Sequence, residues 1–150
     1  MHFSYHCVTL ILRVKIRYVE VITILSSLLP EDYEKVADFI RRIHPLLITG
    51  DFTIATRPKN KTFEEKFRLT QEEKTSILLS LSAEDCCQIE PNNSPGYGET
   101  VVYVFIKAAE LFCYGEPQTV NLYIKMYIRE TKTYDTVIVI SFHEEGMHDL

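Results

Sequence analysis

Residues 120–129 alternate without a break: Val120, Leu122, Ile124, Met126 and Ile128 fall in one phase, and Asn121, Tyr123, Lys125, Tyr127 and Arg129 in the other. This is the period of a strand with one face buried, the second face here carrying phenols and cations. Residues 136–143, T-V-I-V-I-S-F-H, are more continuously apolar. They predict a strand covered on both sides near its start and opening to a polar end at Ser141 and His143. Together the two segments make a hairpin. Residues 101–107 repeat the scheme, with Val102, Val104 and Ile106 in one phase and Tyr103, Phe105 and Lys107 in the other. Three such strands pool Lys107, Tyr123, Lys125, Arg129 and His143 on one sheet face. For His143 to join Tyr123 and Lys125, the paired residue numbers of the hairpin must sum to an even value. That requires an odd-numbered loop or a bulge; a two- or four-residue loop without a bulge sends His143 into the core.

Upstream the period changes. Val36, Phe39, Ile40 and Ile43 recur at helical spacing in residues 33–44, behind an acidic first turn of Glu31, Asp32 and Glu34. This predicts an amphipathic helix that ends before Pro45, with His44 partly exposed at its close. Residues 52–55 predict a short strand. The following T-R-P-K-N-K-T predicts a loop with a dense basic cluster, Arg57, Lys59 and Lys61, which is either a solvated surface or a clamp on a phosphate backbone. Thr70 and Glu73 form a capping box for a helix with Ile77, Leu78 and Leu81 as its buried stripe, and Ser82 with Asp85 looks like a second cap. Residues 88–99, with two prolines, two asparagines and two glycines, predict a loop. The segment between Lys107 and Thr119 predicts a turn at Gly115 to Pro117 and, in part, helix. Residues 1–29 stay open between strand and helix, as an N-terminal extension of uncertain structure ahead of one domain over 30–150, and residues 144–150 predict a frayed tail. Helices followed by strands give an α+β fold, N-terminal helices packed on one face of a small antiparallel β-sheet.

Composition narrows the function classes. At 150 residues one domain is the default, able to bury roughly two-thirds of its unfolded surface. A net charge of -5 argues against nucleic-acid binding driven by net charge, so any RNA contact needs a local cationic patch. Of the four cysteines, Cys86 and Cys87 are adjacent while Cys7 and Cys113 stand alone. Neither a redox nor a zinc spacing results, and reduced thiols fit a cytoplasmic protein. Residues 8–29 are apolar, but a membrane span there would bury Arg13, Lys15, Arg17 and Glu20 at roughly 3 kcal/mol each, so none is expected. His143, Glu144 and His148 invite comparison with H-E-x-x-H, yet the histidines are five apart where that zinc site needs four. No metal and no cofactor is expected, and there is no Gly-rich phosphate loop and no nucleophile elbow.

A sheet face carrying Lys107, Tyr123, Lys125, Tyr127, Arg129 and His143 suits metal-free cleavage of RNA by its own 2′-hydroxyl. Histidine exchanges protons near neutrality, fixed cations stabilise the charge that builds on the phosphate, and tyrosines stack on bases or donate to the backbone. The strings V-F-I-K (104–107), Y-I-K (123–125) and V-I-S-F-H (139–143), in that order behind amphipathic helices, resemble the MqsR family of toxins from type II toxin-antitoxin systems. The resemblance covers roughly residues 32 to 145. It implies a RelE-like fold and a ribosome-independent mRNA interferase, with Tyr123, Lys125 and His143 in the active site and Lys107 matching a lysine of some members. It also implies mRNA as substrate and a cognate antitoxin protein as partner; no DNA contact is expected from this chain alone. The competing reading, from another class, is a non-catalytic α+β module that binds a protein partner through exposed tyrosines and a sheet edge, which the acidic charge favours.

Overall fold

A computed structural model describes residues 28–93 and 100–147. The alternatives for the N-terminal stretch, Cys7, the part of the predicted loop at 94–99 and His148 in the tail lie outside the described residues. Among the described residues the fold is α+β, with three helices and a five-stranded mixed sheet. The strands are β1 (Phe52–Ile54), β2 (Cys86–Pro91), β3 (Val101–Cys113), β4 (Glu116–Glu130) and β5 (Asp135–Glu144), in the order β1-β5-β4-β3-β2. Four of them pair antiparallel, as expected, but β1 runs parallel to β5. A pairing that joins Phe52 to Val137 has no signature in local alternation.

Helix α1 (Pro30–Ile48) runs through Pro45 instead of stopping before it. The extra turn continues the buried stripe of Val36, Phe39 and Ile43 to Leu47, whose burial is worth about 2 kcal/mol against the hydrogen bond the proline cannot make. Thr49 then closes the helix by donating its N–H to Pro45 O at 3.1 Å. The basic stretch predicted as a loop is helical from its proline onward: α2 (Pro58–Phe67) has Pro58 at its first position, where a missing N–H costs nothing. Phe63 and Phe67, one turn apart, anchor it in the core. Helix α3 (Gln71–Leu79) carries the predicted capping box, Glu73 N–H to Thr70 Oγ1 at 3.2 Å and Thr70 N–H to Glu73 Oε2 at 2.7 Å. Ser82 N–H donates to Asp85 at 2.9 Å and opens a single 3-10 turn, Ala83–Asp85.

Two further expectations change. The first residues of the predicted 88–99 loop belong to edge strand β2, whose proline sits at its last position, where an edge tolerates it. The segment after Lys107 contains no helix; β3 continues to Cys113 and turns through Tyr114 and Gly115 into β4. Both turn residues have positive φ, 52° and 80°, the backbone that joins twisted strands through two residues.

One core cluster joins the buried residues of all three helices to one phase of the sheet: Phe105 and Leu111 of β3, Leu122, Ile124, Met126 and Ile128 of β4, and Val137, Val139 and Phe142 of β5. Phe39 stacks on Tyr103 at 3.9 Å, and Phe142 meets Phe63 edge-on at 6.0 Å. Cys86, at the sheet edge of this core, is 2% exposed, and burial pushes its thiol up to about 12. In the native protein it is expected to react with iodoacetamide at least about 100-fold slower than in urea, read by mass spectrometry. Its folded value lies above the unfolded one, so its contribution to stability is intact below the ordinary thiol range and is lost as pH rises towards about 12.

Candidate nucleic-acid interface

The hairpin of β4 and β5 decides where His143 points. Glu130 opposes Asp135 across a four-residue connection, the register that sends His143 inward in a regular ladder. The register shifts once, however: Val139 opposes Met126 while Ser141 opposes Lys125, so Ile140 has no opposite number. Through this bulge Ile140 and Ser141 both face away from the helices, and His143 comes to oppose Tyr123 on the same side as Lys125. The Tyr123 and His143 rings stack at 5.5 Å and 24°. His143 is 8% exposed, and its Nδ1 lies 2.9 Å from Glu144 O. A carbonyl oxygen only accepts, so Nδ1 carries the hydrogen in the neutral ring and Nε2 is the nitrogen left to exchange a proton with a ligand.

The basic stretch reaches the same place by a side-chain device. Strand β1 ends at Ile54, and Ala55 N–H makes the last backbone bond along that edge, to Val139 O at 2.9 Å. Asn60 takes over: its Nδ2 donates to Ile140 O at 3.1 Å and Ala55 O at 2.8 Å, and its Oδ1 accepts from Phe142 N–H at 2.9 Å. One primary amide thus stands in for a strand beside the bulge and pins the start of α2 against β5. The result is a cleft of about 650 Å³ lined by Arg57, Lys59, Asn60, Tyr123, Lys125 and His143, with Pro58, Ser141 and Gly146. The first turn of α2 has no acidic residue, so the positive end of its dipole adds to the cations there. Burial holds the Tyr123 phenol above its ordinary value, against the opposing pull of Lys125, which keeps it a neutral O–H donor at physiological pH.

The expected residues are therefore divided. Tyr123, Lys125, His143, Arg57 and Lys59 come together; Lys61 is exposed on α2 and does not line the cleft. Lys107 does not share the face of Tyr123. It opposes Leu122, on the helix side, and its Nζ lies 3.2 Å from Asp85. The tight turn at Tyr114 and Gly115 fixes that register, and the residues it brings beside Lys125 and Tyr123 are Val104 and Ile106. Tyr127 and Arg129 share the face but lie towards the far end of β4, opposite Ile138 and Thr136. Tyr127 is buried, and Arg129 lines a separate cleft with Lys35, Arg42 and Tyr103.

Two residues of the site, Asn60 and Glu90, are not singled out by the sequence. Glu90, within the predicted loop, sits on β2 in the same facing phase as Gln88, Val102 and Val104, and its carboxylate ion-pairs with Lys125, each side chain 27% exposed. A hollow lined by Arg57, Glu90, Lys125 and Ile140 adjoins the main cleft. The alternation Gln88, Ile89, Glu90 was the available signal, hidden by the turn-forming residues that follow. Among the described residues no cluster of His, Cys, Asp and Glu is arranged to hold a metal, and no helix is long and apolar enough to cross a membrane. Comparison with protein-family models, curated proteins and solved structures finds no match.

Proposed function

We propose that this chain is a toxin of a type II toxin-antitoxin system, a cytoplasmic, metal-independent mRNA interferase of RelE-like α+β fold resembling the MqsR family. The observation that carries the reading is the convergence of Tyr123, Lys125 and His143 from the β4–β5 hairpin with Arg57 and Lys59 from α2 in one cleft. Lys125, Arg57 and Lys59 supply the local positive charge that the acidic chain as a whole lacks, enough to seat a phosphate and to stabilise it as negative charge builds. The Tyr123 ring offers a base a stacking surface and its hydroxyl a donor. His143 moves a proton through Nε2 while the RNA 2′-oxygen attacks the neighbouring phosphorus.

In this reading, purified wild-type protein cuts RNA in the presence of a chelator, and the His143→Ala, Lys125→Ala double variant leaves only background, a loss of at least about 1,000-fold. Equal background from both proteins sinks catalysis. The second reading, a non-catalytic binding module, draws on the hairpin of β3 and β4, which runs past both of its neighbours. Phe112 is 61% and Tyr114 94% exposed there, beside open strand edges suited to β-augmentation. A toxin arrests growth when expressed alone and is relieved by its antitoxin; a binding module does neither.

A further inference from the structure

We propose that Glu90 is a catalytic residue, the general base that takes the proton from the 2′-hydroxyl, with protonated His143 as the general acid on the other side. This rests on the ribonuclease reading above and completes its proton balance. In an in-line displacement the attacking and leaving oxygens lie on opposite sides of phosphorus, so one imidazole cannot serve both within the step. The sheet order supplies a second group where it is needed. Lys125 on β4 stands between His143 on β5 and Glu90 on β2, and Glu90 reaches it across β3. The β3 residues beneath that reach are Val102 and Val104, both buried and carrying no competing polar group. Neighbouring strands are about 4.8 Å apart, so β2 and β5 are separated by about 14 Å across the sheet. Glu90 is level with Val102 of β3 and His143, through Tyr123, with Ile106, about 13 Å further along. The two backbones therefore lie about 19 Å apart on a diagonal that passes Lys125. Two side chains reaching inward from the ends of that diagonal leave room over Lys125 for a phosphate together with its attacking and leaving oxygens.

The groups facing each partner suit these roles. Around Glu90 are the Lys125 ammonium, Gln88 Nε2 at 3.1 Å and the side chain of Arg57, all able to donate to a carboxylate. Around His143 are Tyr123, Ser141, Lys59 and Arg57 in the cleft, with Glu144 O holding Nδ1–H. An ammonium has three donors, so Lys125 can hold Glu90 and a non-bridging phosphate oxygen together. In the step, the 2′-O–H bond breaks and its proton passes to a Glu90 oxygen. The 2′-O–P bond forms, the P–O5′ bond breaks, and O5′ takes the proton from His143 Nε2. The products are a 2′,3′-cyclic phosphate and a 5′-hydroxyl; exchange with water returns each proton to its starting place.

The test measures RNA cleavage by wild type, Glu90→Gln and Glu90→Ala from acid to alkaline pH. Glu90→Gln is expected to lower kcat by about 100- to 10,000-fold with KM unchanged or lower, since removing a carboxylate beside a phosphate site does not weaken RNA binding. Its rate loses the fall on the acid side of the profile and keeps the fall on the alkaline side. Added formate is expected to restore part of the Glu90→Ala rate, a gain read within one variant and so independent of any loss of folding. If wild type cleaves but Glu90→Gln keeps its kcat, or loses only affinity with both limbs intact and Glu90→Ala ignores formate, Glu90 merely positions Lys125 and the proposal is overturned while the ribonuclease stands. If wild type does not cleave, both readings fall.

Discussion

Exchanging two adjacent residues, Phe142→His with His143→Phe, is expected to cost about 5 kcal/mol although it leaves the composition unchanged. Phe142 has no exposed surface; it opposes Ile124 and meets Phe63, so removing its ring from the core forfeits about 3 kcal/mol. An imidazole in its place lies among apolar side chains, at a further cost of about 2 kcal/mol for a polar group without a partner. The phenylalanine meanwhile stands in a polar cleft beside Lys125 and Arg57. A sum of this size approaches the whole stability of an ordinary domain, about 5–15 kcal/mol. Urea unfolding of the exchanged variant is the measurement. A midpoint within error of wild type contradicts the bulged register and, with it, the placement of His143 in the cleft.

Asn60→Leu is the second. The substitution removes three hydrogen bonds at once and strands Phe142 N–H and Ile140 C=O beside a side chain that offers nothing in return. Each orphaned group costs about 1–3 kcal/mol, which gives about 3–4 kcal/mol and, for a chain of this size, a fall in Tm of about 10 °C. Asn60→Asp is expected to lose most of the same stability, because it keeps the acceptor for Phe142 N–H but loses the donor and brings a charge into a site only 2% exposed. Thermal unfolding by circular dichroism distinguishes this account from a surface asparagine, whose replacement moves Tm by a degree or so. Because the same amide sets the start of α2, the leucine variant is also expected to bind RNA more weakly, through Arg57 and Lys59, at temperatures where it remains folded.

Much of the fold could be read from short stretches. Strict alternation in β4, helical spacing at Val36, Phe39 and Ile43, and the Thr70–Glu73 box all concern neighbours within one turn or one pleat, where local sterics and local hydrogen bonds decide. The errors have equally local causes. Pro45, Pro58 and Pro91 each look like punctuation in the sequence. In the folded chain the first sits inside a last turn held by Leu47, the second opens a helix, and the third ends an edge strand. At Pro45 packing outweighed the bias of one residue, while Pro58 and Pro91 occupy positions where a missing N–H is tolerated.

The candidate site divides along a different line. Which side chains share a strand phase follows from the order of residues alone, and Tyr123 with Lys125 needed nothing more. How the phases of separate strands combine is set by turns and bulges, each a choice worth one residue. The two-residue turn at Tyr114 and Gly115 took Lys107 to the helix side, and the bulge at Ile140 kept His143 on the open side. The chain by itself therefore determined the elements, their faces and a cationic, phenolic strand. Only the tertiary structure decided that Arg57 and Lys59 stand beside that strand, that Glu90 reaches Lys125, and that Asn60 completes the edge of β5. Those contacts join residues far apart in the chain, and hydrogen bonds closed across such distances leave no periodic trace in the sequence.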